Sequence, residues 1–398
     1  MQNQEGVPAG VVSPAPLPSA RRVALVVALA HGVNDAYAAF LPPLLPRVMD
    51  RLGLSIAMAA AVAMTFSLAS SLFQPPLGYL ADRYGRRVFV ALGPLLSGVF
   101  MSLIGVAAGF WWLVAFLVLA GIGSAGFHPP GASFAARVSA GKGSGLRMSL
   151  FSFGGTGGYA LGPLIAVALV QWRGMEGMWV AMIPVILLTP LVFRSLPTSR
   201  SDRAEAHLPP PPGEVLRYLA GPLGLLFGIS AVMAFAQRTF LTMEPIIVAQ
   251  HGGSEALGAL ALTAYLGAQA GGTLAGGLLS DRMDRRRLIM GICALALPAH
   301  LAAVGLEPGS APALVAAGVA GFLGMATLPP LVIMAQEILP RAAAVSSSIV
   351  MGLAWAAGSV GVLVTGVVAD MVGPRPATLF SMPVILVAVL LAAHPRLR

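Results

Sequence analysis

Apolar residues in this chain gather into long runs separated by short polar stretches. Crossing the hydrocarbon core of a bilayer takes about 20 apolar residues in a helix. Twelve runs approach or exceed that length, so each is read as a spanning helix. The first six cover 23–48, 55–80, 88–107, 112–136, 148–171 and 178–193. The second six cover 219–248, 257–279, 288–306, 313–337, 344–369 and 378–393. Between the two sets lies a polar stretch from Arg194 to Arg217 that contains Pro209–Pro212. It divides the chain into a first bundle (21–195), a cytoplasmic linker (196–216) and a second bundle (217–398). Residues 1–20 are rich in Pro, Gly and Ala and read as a disordered tail. Arg21 and Arg22 follow that tail and the next apolar run is long, so the first helix is expected to be retained and not cleaved as a signal.

Composition supports lipid as the solvent. Only 10% of residues are charged and 57% are hydrophobic, with a mean hydropathy of +0.84. Soluble domains carry about 25% charged residues. The net charge of +9 does not indicate nucleic acid, because the basic residues form short clusters between apolar runs and no extended basic face. The one cysteine, Cys293, sits inside an apolar run and reads as a small buried hydrophobe. No cofactor is expected, and local spacing offers no metal-ligand set.

Charge distribution orients the helices. With the N-terminus inside, all but five of the 24 Lys and Arg fall on the cytoplasmic side; the five are Arg47, Arg51, Arg173, Arg238 and Arg375. This positive-inside bias puts both termini in the cytoplasm of a plasma-membrane protein. Trp111, Trp112, Trp172 and Trp179 then all lie near the outer interface, as an aromatic belt requires.

The two halves repeat. Gly78-Tyr-Leu-Ala-Asp82-Arg83-Tyr-Gly-Arg86-Arg87 follows the second run, and Gly277-Leu-Leu-Ser-Asp281-Arg282-Met-Asp-Arg285-Arg286 follows the eighth, 199 residues later. Pro129-Pro130 and Pro329-Pro330 occupy the fourth and tenth runs at an offset of 200. Parallel six-helix halves suit a transporter with a two-fold axis along the membrane normal.

On these residues the chain resembles the major facilitator superfamily over about residues 21–395, since the duplicated loop is that family's best-known motif. His31-Gly-Val-Asn34-Asp35, Phe127-His128-Pro129, Phe151-Ser-Phe-Gly-Gly155 with Leu161-Gly162-Pro163-Leu164, and Ala335-Gln336-Glu337-Ile-Leu-Pro340 make it similar to the fosmidomycin-resistance group of proton-driven drug exporters. It departs from related patterns in three places. Pro130 stands where the subgroup often has an acid after His-Pro; Leu117 replaces the fourth-helix arginine of many drug antiporters; Ala166 and Val167 replace the closing glycines of the fifth-helix motif.

The resemblance implies an all-α fold of twelve transmembrane helices in two six-helix bundles, a central cavity open to one side at a time, and no enzymatic activity. It also implies that the first and seventh helices face each other across that cavity.

Asp35 lies mid-helix, where a charge costs about 2.5–3.5 kcal/mol on insertion scales. His31 is four residues earlier on the same face and Asn34 adjoins it. An intramembrane carboxylate of this kind is read as a proton carrier; the plainer alternative is an interhelical hydrogen bond. Aligning Pro43 with Pro245 sets Asp35 opposite Gln237 and next to Arg238, so Arg238 is expected to pair with Asp35 or to bind an anionic substrate, unless it snorkels outward. Glu244 lies nearer the outer end, where a plain surface role is at least as expected. His128 reads equally as a proton relay or a packing histidine.

Gly78, Asp82, Arg83, Arg86 and Arg87, with Gly277, Asp281, Arg282, Arg285 and Arg286, are read as a gate whose charges bridge the bundles when the inner side closes. Arg137 and Glu337 lie at the same level. Gly154, Gly158, Gly162 and Pro163 form a small-residue ladder for close helix packing, as do Gly267, Gly271, Gly272 and Gly276.

Two resemblances are dismissed. Gly121-Ile-Gly123-Ser-Ala-Gly126 lies inside an apolar helix with no preceding strand, which excludes a dinucleotide loop. Gly141-Lys142-Gly143-Ser144 lacks the hydroxyl residue at 143 and the first glycine at 136 that a phosphate loop needs. The reading is thus a proton-coupled antiporter for small drug-like or anionic molecules, working as a monomer in the lipid bilayer with no nucleic-acid partner. A symporter taking up an organic anion, and a non-transporting sensor or scaffold, are the alternatives.

Overall fold

The computed structural model describes residues 19–138, 144–197, 212–340 and 343–397. The N-terminal tail through residue 18, most of the linker, and residues 139–143 of the dismissed phosphate-loop likeness lie outside them. Every regular element among the described residues is helical. The first half holds α1 (Ala20–Leu52), α2 (Ile56–Leu72 with Gln74–Tyr84), α3 (Arg86–Val106), α4 (Phe110–Arg137), α5 (Ser149–Arg173) and α6 (Glu176–Ser195). The second holds α7 (Pro222–Gln250), α8 (Glu255–Ser280), α9 (Arg285–Gly305), α10 (Ala311–Ile338), α11 (Val345–Val372) and α12 (Pro374–Ala393). Ten of these satisfy both the length and the hydropathy of a membrane span, and the bent α2 pair makes an eleventh. The twelfth, α8, has 26 residues, long enough to cross, but its many Gly and Ala lower its hydropathy.

Proline breaks several runs that read as continuous. α1 divides after Ala38 and restarts at Leu41 ahead of Pro42 and Pro43. α2 bends by 41° at Phe73, where Pro75 and Pro76 open the next segment. α10 breaks at Thr327 ahead of Pro329 and Pro330. A proline lacks the N–H that the ladder needs and favours the first turn of a helix, so each pair starts a new segment. In α11 a π turn at Ile349–Leu353 loosens the ladder just before Trp355.

Lipid tails are as apolar as leucine, so bundle packing relies on close backbone approach. A Cβ at Gly154, Gly158 or Gly162 of α5 would run into the carbonyl oxygens of Ala28, Gly32 or Ala36 of α1. The predicted ladder is therefore the α1–α5 seam. Gly272 and Gly276 of α8 meet the carbonyls of Phe322 and Ala326 in α10 in the same way. Trp111, Trp112, Trp172 and Trp179 are all exposed.

The bundles meet unevenly. Between them α2 packs on α11 and α5 on α8. The Leu41–Leu52 segment of α1 packs on α7 and α8, whereas its Ala20–Ala38 segment packs mainly on α5, α4, α3 and α6 of its own bundle. Ties at the turn around Gly53 cross the interface. Arg47 forms a two-pronged ion pair with Glu255 of α8, at 2.6 and 2.9 Å. Asp370 of α11 accepts from the main-chain N–H groups of Ile56 and Ala57, at 2.8 and 3.1 Å, capping the start of α2.

On the opposite, arginine-rich face the predicted gate residues stay within their own bundles. Asp82 pairs with Arg86 at 2.6 Å. Arg83 is exposed beside Tyr79 and Tyr84. Arg87 donates to the Phe193 carbonyl at 2.5 Å and lies over its ring. Arg285 pairs with Glu337 at 2.6 Å, and Arg286 donates to the carbonyls of Ala392 and Ala393. Asp281 and Arg282 are exposed and make no ion pair among the described residues. Arg137 stacks toward Phe134. Gly78 lies against Pro129, and Gly277 against Pro329. This conformation therefore ties the bundles at the Gly53 face, while the Asp82–Arg86 and Arg285–Glu337 ion pairs at the arginine-rich face each stay within one bundle.

Candidate functional site

Asp35 lies in the part of α1 that faces α4 and α5. His31 precedes it by one helical turn and holds its Nε2 3.2 Å from Asp35 Oδ2. His128 of α4 brings its Nε2 to 3.3 Å from Asp35 Oδ1. Asn34 is fully buried and donates to Asp35 Oδ1 at 2.9 Å and to the Ser124 hydroxyl at 3.2 Å. The His31 ring stacks on Phe151 at 4.2 Å and meets the His128 ring edge-on at 5.4 Å. His128 keeps 33% of its side chain exposed and Asp35 18%.

Both tautomers follow from the main chain. His31 Nδ1 lies 2.9 Å from the Phe151 carbonyl, and His128 Nδ1 lies 2.8 Å from that of Ser124. A carbonyl oxygen only accepts, so each Nδ1 must carry the hydrogen. Each Nε2 can then bind the carboxylate only through a further shared proton. No sequence spacing reveals this gathering, because His128 is distant in the chain. Local spacing offered no metal-ligand set, yet the fold draws three donor side chains within 4.8 Å of one another.

The expected pairing of Asp35 with Arg238 does not form. Asp35 is held by two histidines of its own bundle, and the Ala20–Ala38 segment of α1 packs mainly on its own bundle. Arg238 of α7 instead accepts company from the first bundle's Tyr159, donating to its hydroxyl at 2.9 Å, and sits over the Trp355 ring of α11 at 5.6 Å. It is half-buried and pairs with no carboxylate among the described residues. Gln237 is 5% exposed, and its amide nitrogen has no partner among the described residues. Glu244 is 3% exposed, so a surface role for it is corrected: α7 is buried from Thr239 to Val248.

Sequence reasoning also missed Gly155, Tyr159 and Trp355. A Cβ at Gly155 would strike the His31 ring, so this glycine makes the histidine's seat. Its only signal was the paired glycine: Gly154 serves the α1 backbone and Gly155 the side chain. A further polar pair, Tyr265 with His300 at 3.1 Å, is fully buried within the second bundle.

The chain matches the family model for the Major Facilitator Superfamily twice, over residues 27–242 and 225–397. It is 28% identical over 358 residues to the Fosmidomycin resistance protein of Escherichia coli (strain K12), covering 86% of this chain and 85% of the relative. It is 27% identical over 399 residues to the uncharacterized MFS-type transporter YfnC of Bacillus subtilis (strain 168), covering 94% of each. Among solved structures, the inward-facing, occupied bacterial homolog of the human lysosomal transporter Spinster superposes with a TM-score of 0.80 at 19% identity, over 95% of this chain and 97% of that one. With its duplicated loop, its two bundles and this twofold match, the chain belongs to the major facilitator superfamily.

Proposed function

We propose that this protein is a secondary active transporter of the plasma membrane that exports small anionic or drug-like molecules in exchange for protons, by alternating access. The observation that carries this reading is the separation of the charges. Asp35 is neutralised inside the first bundle by His31 and His128. Arg238, in the second bundle, is left with a phenol and an indole and no acid. A membrane-embedded guanidinium without a counter-ion is a site for an anion, and its planar fork suits carboxylate or phosphonate groups. The triad would supply the exchangeable protons. The Escherichia coli relative's name, a resistance protein, supports export, as does the Gly158-x-x-x-Gly162-Pro163 stretch in α5. Charge bias supports a cytoplasmic arginine-rich face, and ties at the opposite face then fit a conformation closed toward the outside.

One observation favours the uptake symporter as second reading. Protons taken up by the triad would add positive charge to that of Arg238 and draw an anion, so protons and substrate would bind jointly. Proteoliposomes with an imposed pH gradient decide between the two, after a resistance screen including fosmidomycin has supplied a substrate. Export by antiport requires uphill accumulation against the direction of proton flow; symport requires accumulation along it. Asp35→Asn should abolish uphill transport in either case while leaving substrate exchange without a gradient. Arg238→Ala should weaken substrate binding itself. Near wild-type accumulation by Asp35→Asn would sink proton coupling at this site.

A further inference from the structure

Three donor groups from two helices bring their ligand atoms within 4.8 Å of one another, a spacing that a single metal ion can bridge. The Nε2 atoms of His31 and His128 stand 3.2 and 3.3 Å from the two oxygens of Asp35. A zinc-class ion bonded at about 2.0–2.1 Å holds tetrahedral ligands about 3.3–3.4 Å apart. Both Nδ1 atoms are already tied to main-chain carbonyls. That is the outer-shell arrangement that fixes a metal-binding imidazole and aims its Nε2 lone pair. Asn34 fixes the carboxylate by donating to its Oδ1. Phe127, Phe151 and the bare Cα of Gly155 pack the His31 ring in place. His128, one third exposed, leaves the remaining coordination position accessible.

We infer that His31, Asp35 and His128 form a binding site for a borderline divalent cation such as zinc, cobalt or nickel. Two imidazole nitrogens and one carboxylate suit such ions, whereas magnesium and calcium prefer oxygen cages. The inference rests on the triad geometry and not on the direction of transport.

Cobalt(II) titration tests it, because cobalt in a low-coordinate nitrogen–oxygen site gives a visible absorption band. The protein is purified in detergent without a histidine tag and stripped with chelator. Wild type should bind one equivalent of cobalt, displaced by zinc and unaffected by magnesium. Asp35→Asn and His128→Gln should each weaken binding at least about tenfold, the lower end of what loss of even an outer partner costs. Asp35→Glu keeps a carboxylate and should retain the band. His394→Ala, at an exposed histidine near the C-terminus, should leave the titration unchanged. Gel filtration of each variant establishes that it is folded. No saturable band in wild type, or equal affinity in folded Asp35→Asn and His128→Gln, overturns the site. If proton-driven transport persists in chelator while cobalt fails to bind, only this inference falls. If cobalt binds as described while Asp35→Asn still transports uphill, only the transport reading falls.

Discussion

The two ties at the Gly53 face give a prediction whose size can be worked out. The Arg47–Glu255 pair is two-pronged, but Arg47 keeps 42% of its side chain exposed. Screening therefore limits the pair to about 0.5–1 kcal/mol. Asp370 caps two main-chain N–H groups that begin α2, while Ser55 caps the next at Met58. A carboxylate at a helix N-terminus is worth about 1 kcal/mol. Both contacts cross the bundle interface and exist only while this face is closed. Glu255→Gln with Asp370→Ala should therefore favour opening by about 1.5–2 kcal/mol, a shift of roughly 10–30-fold in the population ratio. The pairs lie on different helices, so the single variants should each give about half of that in free energy. Spin labels at Ala108→Cys and Glu307→Cys, in turns of the two bundles on this face, report the separation; buried Cys293 is replaced by serine. The double variant should populate a longer distance that the unaltered background shows weakly. Unchanged distance distributions in folded double variant would mean that the ties do not hold this face shut, and that the α2–α11 and α5–α8 packing alone does.

Other expectations follow from single contacts. Tyr159→Phe removes the hydroxyl that Arg238 reaches and should change substrate affinity without abolishing pH-driven coupling, measured by separate binding and flux assays. Gly158→Val would force a side chain into the Gly32 carbonyl and should cost about 1–3 kcal/mol, seen as a lower melting temperature, whereas Gly157→Ala, with open space around it, should not. Reporter fusions at residues 85 and 284 should read cytoplasm and those at 109, 174 and 309 the outside; a consistent reversal across one half would refute the orientation.

Much of the fold was legible because a bilayer forces every backbone group into a helix, so hydropathy alone marks the spans. The duplicated loop and the proline pairs at matching offsets revealed the two bundles. What hydropathy could not show was where a span breaks: Pro42–Pro43 and Pro329–Pro330 restart helices that are apolar on both sides of the break. At the site, spacing within one helix was sufficient to join His31 to Asp35. Contacts between helices depend on rotation about each axis, and no single sequence encodes that openly. Proline alignment therefore put Gln237 opposite Asp35 with Arg238 beside it, while the fold gave Asp35 to His128 and Arg238 to Tyr159. Glu244 was misjudged for a related reason, since its place near a helix end hides that α7 is enclosed there.

The partition of polar groups between the bundles bears on how coupling can work. The triad lies within one bundle, on α1 and α4, so rocking one bundle against the other leaves its geometry intact. The Arg238–Tyr159 contact spans both bundles and cannot survive a separation of α7 from α5 unchanged. Close to it, Thr263 of α8 donates to the Ala160 carbonyl across the same seam. On the proposed reading, protonation sets the charge facing the cleft, whereas bundle movement sets whether Arg238 is held by Tyr159 or is free for an anion. Neither group senses both events alone. Coupling must then pass through the field between Asp35's cluster and Arg238, and through whichever ligand lies between them. A carboxylate paired directly with Arg238 would have cancelled that field.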